Sequence, residues 1–163
     1  MELIGKGLFS KVYKVNSKKV LIKSVCYSKE CTSLFINSMW FPKLQRVEQN
    51  EYLCEFYPKV TSLKSSLKPK HYELYKELRK IHVYCHNDYD NYCKLREEFG
   101  KVSNKSLRNA LIDYLDDFAQ YGTDIGFEIS PRNVAVKNGR LILLDCFFNK
   151  SQLCEVRKNG TGL

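Results

Sequence analysis

Apolar and polar positions alternate in short runs near both ends of the chain and follow a helical period in between. Short apolar runs separated by polar turns predict strands within residues 2–25, at 43–48 and at 51–57. A helix is predicted at 29–40, because apolar side chains recur there at spacings of three and four. The residues that carry this apolar face are Cys31, Leu34, Phe35 and Met39. The N-terminal part is therefore expected to be rich in strands.

The second part of the chain has helical periodicity followed by a hairpin. Helices are predicted at 70–84, 88–99 and 104–121, and the last is followed by Gly122, a residue type that commonly ends helices. Asn138-Gly139 stands between two apolar runs, which is the strongest short signal of a β-hairpin.

The pattern as a whole predicts an α+β protein with two lobes. Residues 61–69 are rich in Ser and Lys, as linkers commonly are, so the boundary is placed just before residue 58. Residues 1–57 are expected to form a small β-rich lobe and residues 58–163 a mainly helical one. A cleft between two such lobes is the usual place for a ligand.

Composition and charge narrow the class of protein. With 44% hydrophobic residues, the 163-residue chain has enough apolar side chains for a core, and it lacks an apolar run long enough to span a membrane. The net charge of +9 suits an acidic partner: a nucleotide, a nucleic acid or an acidic protein surface. Charge alone selects none of these, and a nucleic acid is not favoured.

The cysteines and the first residues indicate where the protein works. Seven cysteines without a CxxC pair argue against a disulfide framework, and no secretory signal pattern is present, so a cytoplasmic location is expected. A metal group of His82, Cys85 and His86 is disfavoured, because its spacing matches no common zinc pattern.

The N-terminal strands carry a glycine pair and a lysine. Gly5 and Gly7 would let the backbone approach phosphate oxygens, and Ser10 at the third position is small enough for the hairpin to bend over a ligand. Val12 is spaced to cover a flat base. Lys23 ends an apolar strand, and in a cleft it would neutralise nucleotide phosphates; the alternative is an exposed strand lysine.

An ion-pair partner for Lys23 is sought among the acidic residues nearby. Glu30 is the only one between Lys23 and Glu48, which makes it the candidate. Glu30 also lies near the start of the predicted helix, where a glutamate is favourable for the helix dipole alone.

The late hairpin carries polar residues at both ends. Asn133 opens it and Asp145 closes it, so antiparallel pairing brings an amide and a carboxylate together, and both are suitable Mg²⁺ ligands. Glu128 precedes the hairpin and is placed to accept a proton from an attacking hydroxyl. Arg132 either stabilises charge on a transferring phosphoryl group or pairs with a surface acid.

Together these motifs resemble those of the protein-kinase fold. Residues 5–12 resemble the glycine-rich loop, residues 20–23 the strand with the phosphate lysine, residues 127–133 the catalytic loop, and residues 145–147 the metal-binding triplet. The short arrangement of these motifs along the chain is similar to that of the early serine/threonine kinases of short-tailed bacteriophages. The resemblance implies a two-lobed protein-kinase-like fold with a truncated, mainly helical C-lobe.

The resemblance also implies a function. It implies transfer of a phosphoryl group from ATP, with Mg²⁺, to a serine or threonine of a protein, with a host protein as substrate or target. Glu55 and Tyr57 fall where the adenine-binding hinge would be. A pseudokinase that binds a nucleotide or a host protein without transfer is the alternative.

Three departures from the family pattern bear on this alternative. The catalytic aspartate is Glu128, the triplet has Cys146 and Phe147 in place of its usual second and third residues, and the residues after Asp145 leave no room for a full activation segment. A small-molecule phosphotransferase on the same fold and a basic nucleic-acid-binding protein are further alternatives.

Overall fold

The computed structural model describes residues 1–81 and 91–163, and the fold is mixed α/β with a β-rich N-terminal sheet and a helical C-terminal part. The residues considered for a metal group, His82, Cys85 and His86, lie outside the described residues. Within the described ranges, no helix is both long enough and apolar enough to cross a lipid bilayer.

Five antiparallel strands form the N-terminal sheet, in which the fifth strand along the chain lies between the third and the fourth. Their bounds are β1 Glu2–Lys6, β2 Ser10–Lys14, β3 Lys19–Ser24, β4 Gln45–Glu48 and β5 Glu51–Glu55. Helix α1, Tyr27–Phe35, connects β3 to β4. The predicted strands are confirmed, and the predicted helix begins two residues earlier and ends at Phe35.

The C-terminal part contains five helices and four short strands among the described residues. They are α2 Leu63–Ser66, α3 Pro69–Arg79, α4 Asn91–Gly100, α5 Lys105–Phe118, β6 Ile125–Phe127, β7 Val134–Lys137, β8 Arg140–Leu143, β9 Phe147–Asn149 and α6 Lys150–Asn159. Strands β7 and β8 pair through a turn in which Asn138 and Gly139 both have positive φ, which confirms the hairpin.

Strands β6 and β9 form a second antiparallel pair, which the sequence pattern did not predict. Gly126 in β6 lies directly under the ring of Phe148, and any Cβ at this position would overlap that ring. The close approach needs glycine, and it places Glu128, just after β6, beside the segment that leads into β9.

The buried side chains form a larger and a smaller core. The larger one joins the helices to the short strands, contains fully buried Phe99, Phe118 and Phe147, and takes in Trp40 and Phe41 from the connection after α1. Each such aromatic contributes about 1.5–3 kcal/mol by leaving water. The smaller core covers one face of the N-terminal sheet.

Helix α1 does not bury the apolar face from which it was predicted. Cys31 is buried, but Leu34, Phe35 and Met39 are each about half exposed. The buried positions of α1 are Ser28, Lys29, Cys31 and Thr32. Polar contacts with α5 and with the segment before β9 therefore replace the expected apolar face, as when Thr32 and Tyr114 share a hydrogen bond of 3.0 Å.

Candidate active site

The two faces of the N-terminal sheet differ in what they carry. Val12, Ile22 and Tyr52 are paired across β2, β3 and β5 and belong to the smaller core. Because side chains alternate along a strand, Ser24 lies on this same face. We call it the inner face. Val12, the residue expected to cover a base, is therefore on the packed side of the sheet.

Lys23 lies on the opposite, outer face. It pairs across the sheet with Lys11 on one side and Glu51 on the other. Its ammonium is 2.6 Å from the Glu51 carboxylate, and the hydrogen bond and charge of Glu51 raise the pKa of Lys23. The structure thus does not bring Lys23 together with Asp145, contrary to the prediction, because the strand register assigns it to the other face.

Glu30 is not the partner of Lys23, so that prediction is wrong. Its carboxylate is 3.4 Å from the Arg46 guanidinium, which ties α1 to the edge strand β4. Glu30 is in the first turn of α1, and Lys23 is on the far side of the sheet, so the two cannot meet across it.

The glycine hairpin forms, with its two glycines in different places. Gly5 is within β1 opposite Val12, whereas Gly7 is in the turn, where its N–H donates to the carbonyl of Ser10 at 2.8 Å. A Cβ on Gly7 would come no nearer than 4.0 Å to that carbonyl, so the fold itself does not require glycine there. The Ser10 hydroxyl donates to the Ser24 hydroxyl at 2.6 Å.

A single backbone carbonyl organises the late site residues. The carbonyl oxygen of Asn133 accepts hydrogen bonds from the N–H groups of Leu144 at 2.8 Å and Asp145 at 3.3 Å, and from the Cys146 thiol at 3.4 Å. The N–H of Glu128 donates to the carbonyl of Cys146 at 2.9 Å. The predicted grouping of Glu128, Asn133 and Asp145 is therefore present in the backbone.

The side chains of this group remain accessible. The Asn133 amide nitrogen donates to the Glu128 carbonyl at 3.3 Å, which leaves the amide oxygen available to a cation. Glu128 and the neighbouring Arg132 are exposed, and the Asp145 side chain is 43% exposed. The side chains of Glu128, Asn133 and Asp145 thus all keep contact with solvent.

Lys29, which the sequence analysis did not select, also belongs to this site. Its ammonium donates to the Leu144 carbonyl at 3.0 Å and lies 3.4 Å from the Asp145 carboxylate, and its side chain is only 9% exposed. Burial alone would lower the pKa of Lys29, but the charge and hydrogen bond of Asp145, together with the nearby Cys26 and Cys54, outweigh it, so the pKa is raised. No sequence signal separated Lys29 from the rest of the 27 Lys and Arg residues.

Gln152 fixes the start of α1 against α6. Its side-chain carbonyl accepts from the Tyr27 N–H at 3.0 Å, and its amide nitrogen donates to the Val25 carbonyl at 2.6 Å. Gln152 is itself held by Asn149, whose side chain accepts from the Gln152 N–H at 2.9 Å and caps α6. Segment 144–152 therefore contacts the start of α1 at two separate points.

The predicted hinge residues lie where the sheet meets the late hairpin. Glu55 is 2.6 Å from the Lys137 ammonium at the end of β7. The Phe56 N–H donates to the Lys18 carbonyl at 2.9 Å, which extends the pairing of β5 with β3. Tyr57 is half-buried beside the smaller core, and burial is the chief cause of its raised pKa.

The donors fit a magnesium ion shared with a nucleotide better than a protein-only metal site. Among the described residues, no three His, Cys, Asp or Glu side chains are grouped so that they could hold a metal. Asn133 and Asp145 supply two oxygen ligands, and Mg²⁺ commonly takes one or two protein oxygens while phosphates and water complete its shell.

A cavity of about 400 Å³ lies away from this site, between the end of α1 and α5. Its lining includes Phe35, Asp113 and Asp117. We place the candidate site at Asp145 and not at this cavity, because the lining of the cavity holds three aspartates and no Lys, Arg or His that could bind a phosphate.

Comparisons with known proteins give a weak structural likeness. No protein-family model matches the chain, and no curated protein matches it. Among solved structures, the chain is similar to the streptomycin–ATP–APH(2")-IIa ternary complex, an aminoglycoside phosphotransferase with a protein-kinase-like fold. The TM-score is 0.39 at 12% identity, and the match covers 88% of this chain and 64% of that one. A likeness at this level carries no argument about substrate or mechanism.

Proposed function

We propose that this chain is a minimal protein kinase that transfers the γ-phosphoryl group of ATP to a serine or threonine hydroxyl of a protein. The observation that carries the proposal is the Asn133 carbonyl, which holds the backbone of Asn133 and Asp145 together, with Glu128 one hydrogen bond away. The acceptor type and the choice of a host protein rest on the resemblance to phage kinases. Residues 1–57 and 58–163 are the two proposed lobes.

Each late residue has a proposed role in the transfer. Asn133 and Asp145 would hold Mg²⁺, which when bound neutralises charge on the phosphates. The acceptor oxygen forms a bond to the γ-phosphorus as the bond from that phosphorus to the ADP oxygen breaks. Glu128 orients the hydroxyl and receives its proton, and Arg132 pairs with a non-bridging phosphoryl oxygen.

The nucleotide would lie between the inner face and the late hairpin. The turn around Gly7 and Ser10 would approach the phosphates, with Gly5 leaving space beside it. Val12 would cover the base, and Glu55 and Tyr57 would border its edge. That the fold does not require glycine at position 7 supports a role of Gly7 toward a ligand.

The proposed location is a reducing cytoplasm, that of the host if the chain is viral. Cys26, Cys31, Cys54 and Cys146 are buried free thiols and Cys154 is an exposed one, and free thiols are typical of such a compartment.

The test is transfer of labelled γ-phosphate by the purified chain to itself and to mixed protein acceptors. We expect labelling with Mg²⁺ that Asp145→Ala and Glu128→Ala each reduce by at least about 10²-fold, since each removes a group that acts on the reacting atoms. Exposed Glu155→Ala, on α6, is the matched control. Labelling that survives both site variants would refute the proposal. Turnover of a sugar or aminoglycoside without protein labelling would make a small molecule the acceptor.

The alternative is a pseudokinase that acts by contact. Two observations favour it: Glu128 stands where the family has a shorter aspartate, and the strand lysine faces outward. The two proposals differ in one result. A pseudokinase binds ATP or a host protein but transfers no labelled phosphate. In that case the Glu128→Asp variant would not transfer it either.

A further inference from the structure

We propose that Lys29 on helix α1, and not Lys23 on strand β3, is the lysine that binds the nucleotide phosphates. This inference rests on the proposed function and deepens it, because it names the cation of the same site. It assigns the role to a position on a helix, where the family resemblance places it on a strand.

The first step is the exclusion of Lys23. Its face is fixed by the register of β3, in which Val12, Ile22 and Tyr52 pack together on the inner side. Moving Lys23 inward would need a slip of one residue, which would expose that whole apolar set. The 2.6 Å ion pair with Glu51 holds its ammonium on the outer side.

The second step concerns what occupies the inner position. Ser24 is there, fully buried, and its hydroxyl accepts from Ser10 and from the Cys26 N–H at 3.1 Å. A serine hydroxyl is neutral and short. The inner face of β3 thus offers no cation to a phosphate group, and the charge must come from another element.

The third step is the position of Lys29. Side chains on a helix lean toward its N-terminus, and Lys29, in the first turn of α1, extends toward the segment before β9. Its ammonium contacts the Leu144 carbonyl and the Asp145 carboxylate, which use two of its three N–H donors. The third donor would bind an oxygen of a phosphate, and Asn133 and Asp145 would hold the Mg²⁺ that accompanies it.

The fourth step is that Lys29 is charged and held. The Asp145 carboxylate lies 3.4 Å from the buried ammonium and balances its positive charge. Gln152 fixes the backbone at Val25 and Tyr27, only two residues before Lys29. A cation fixed in this way loses little side-chain freedom when a phosphate binds.

The experiment compares ATP–Mg²⁺ with adenosine, which has no phosphates, by titration calorimetry. Lys29→Met should weaken ATP binding by about 10- to 100-fold, the loss expected for one charge-assisted hydrogen bond. Lys29→Arg should recover part of that affinity. Lys23→Met, the matched control, should change ATP affinity less than about 2-fold. Adenosine affinity should stay constant throughout, which a general loss of structure would not allow.

A second measurement uses the unmodified chain and so does not depend on whether the variants fold. An acyl-phosphate derivative of ATP acylates the lysine nearest the phosphates, and mass spectrometry identifies the site. We expect Lys29 to be labelled and free ATP to prevent it. Labelling of Lys23 and not of Lys29 would overturn the inference and leave the proposed function standing. A loss of ATP affinity that occurs only in Lys23→Met would do the same. A chain that binds neither ATP nor adenosine would overturn both.

Discussion

The two lysines at positions 23 and 29 are six residues apart and lie in opposite environments. Lys23 is on the outer face of the sheet, 36% exposed, and pairs with a carboxylate of the adjacent strand. Lys29 is 9% exposed and pairs with Asp145, far away along the chain. An exposed pair between neighbouring strands supports local structure weakly, whereas a buried pair between distant segments joins the sheet region to the late hairpin.

The contact of Gln152 with α1 should matter most for stability. Gln152→Met keeps the volume of the side chain and removes both hydrogen bonds, which leaves the Tyr27 N–H and the Val25 carbonyl without this partner. We expect a loss of about 3 kcal/mol in the free energy of unfolding, since each buried group left unpaired costs about 1–3 kcal/mol.

Urea denaturation measures that loss, and hydrogen exchange of the residue 25–31 amides shows where it acts. Exposed Gln49→Met in the β4–β5 turn is the control and should have little effect. Equal exchange of these amides in both variants would mean that Gln152 does not hold the start of α1.

The two lysines should differ in stability as they do in exposure. Lys29→Met should cost about 2 kcal/mol, less than the 3–5 kcal/mol of a fully buried pair, because Asp145 is partly in contact with water. Lys23→Met should cost less than about 0.5 kcal/mol. Chemical denaturation of both variants at one pH decides this, and equal losses would contradict the contrast between the two environments.

Alkaline pH should destabilise the smaller core, which contains Cys54, before it affects the outer face of the sheet. Burial raises the pKa of Cys54 from 9.0 to about 11, so the unfolded chain loses this proton at lower pH than the folded chain does. Stability should therefore fall as pH rises through 9, and Cys54 alone should account for about 1.4 kcal/mol by pH 10.

The check is denaturation between pH 7 and pH 10, in which Cys54→Val should lose less stability than the unmodified chain. The exposed thiol Cys154 provides the control variant, Cys154→Val. A pH profile that Cys54→Val leaves unchanged would contradict the assignment.

The smallest effect is expected at the ion pair between Glu55 and Lys137. Both side chains are nearly half exposed, so the 2.6 Å contact should contribute less than about 1 kcal/mol. A double-mutant cycle with Glu55→Gln and Lys137→Gln measures the coupling. A coupling well above this value would show that the sheet and the hairpin are joined at this edge as firmly as at Lys29.

The parts of the fold that the sequence predicted are those with a local signal. The strands before residue 58, helix α5 and the Asn138-Gly139 hairpin depend on periodicity and turn chemistry within short windows. Strands β6 and β9 have three residues each, too few for a period, and they pair only because distant segments meet at Gly126. Helix α6 was missed because most of its residues are polar and it has little apolar face.

The sequence predicted that the candidate residues near the late hairpin lie close together. It predicted the placement of the candidate residues in the N-terminal strands only in part. Asn133 and Asp145 stand at the two ends of a hairpin, so their proximity follows from antiparallel pairing. The orientation of Lys23 does not follow from its own segment. Three apolar residues precede it, so the local pattern does not show which face of the sheet each side chain takes. Only the pairing of Ile22 with Val12 and Tyr52 fixes it, and that is tertiary information.

The hydrogen bonds to the Asn133 carbonyl affect which substitutions the candidate site can accept. The framework that gathers positions 128, 133 and 145 is mostly main chain, and any residue other than proline keeps the main-chain oxygen and N–H in place. Substitutions at these positions can therefore alter reactivity while the geometry of the loop persists. A glutamate at position 128, where the resemblance to protein kinases implies an aspartate, is a change that such a framework tolerates, so variants with altered or no activity would keep the same loop architecture.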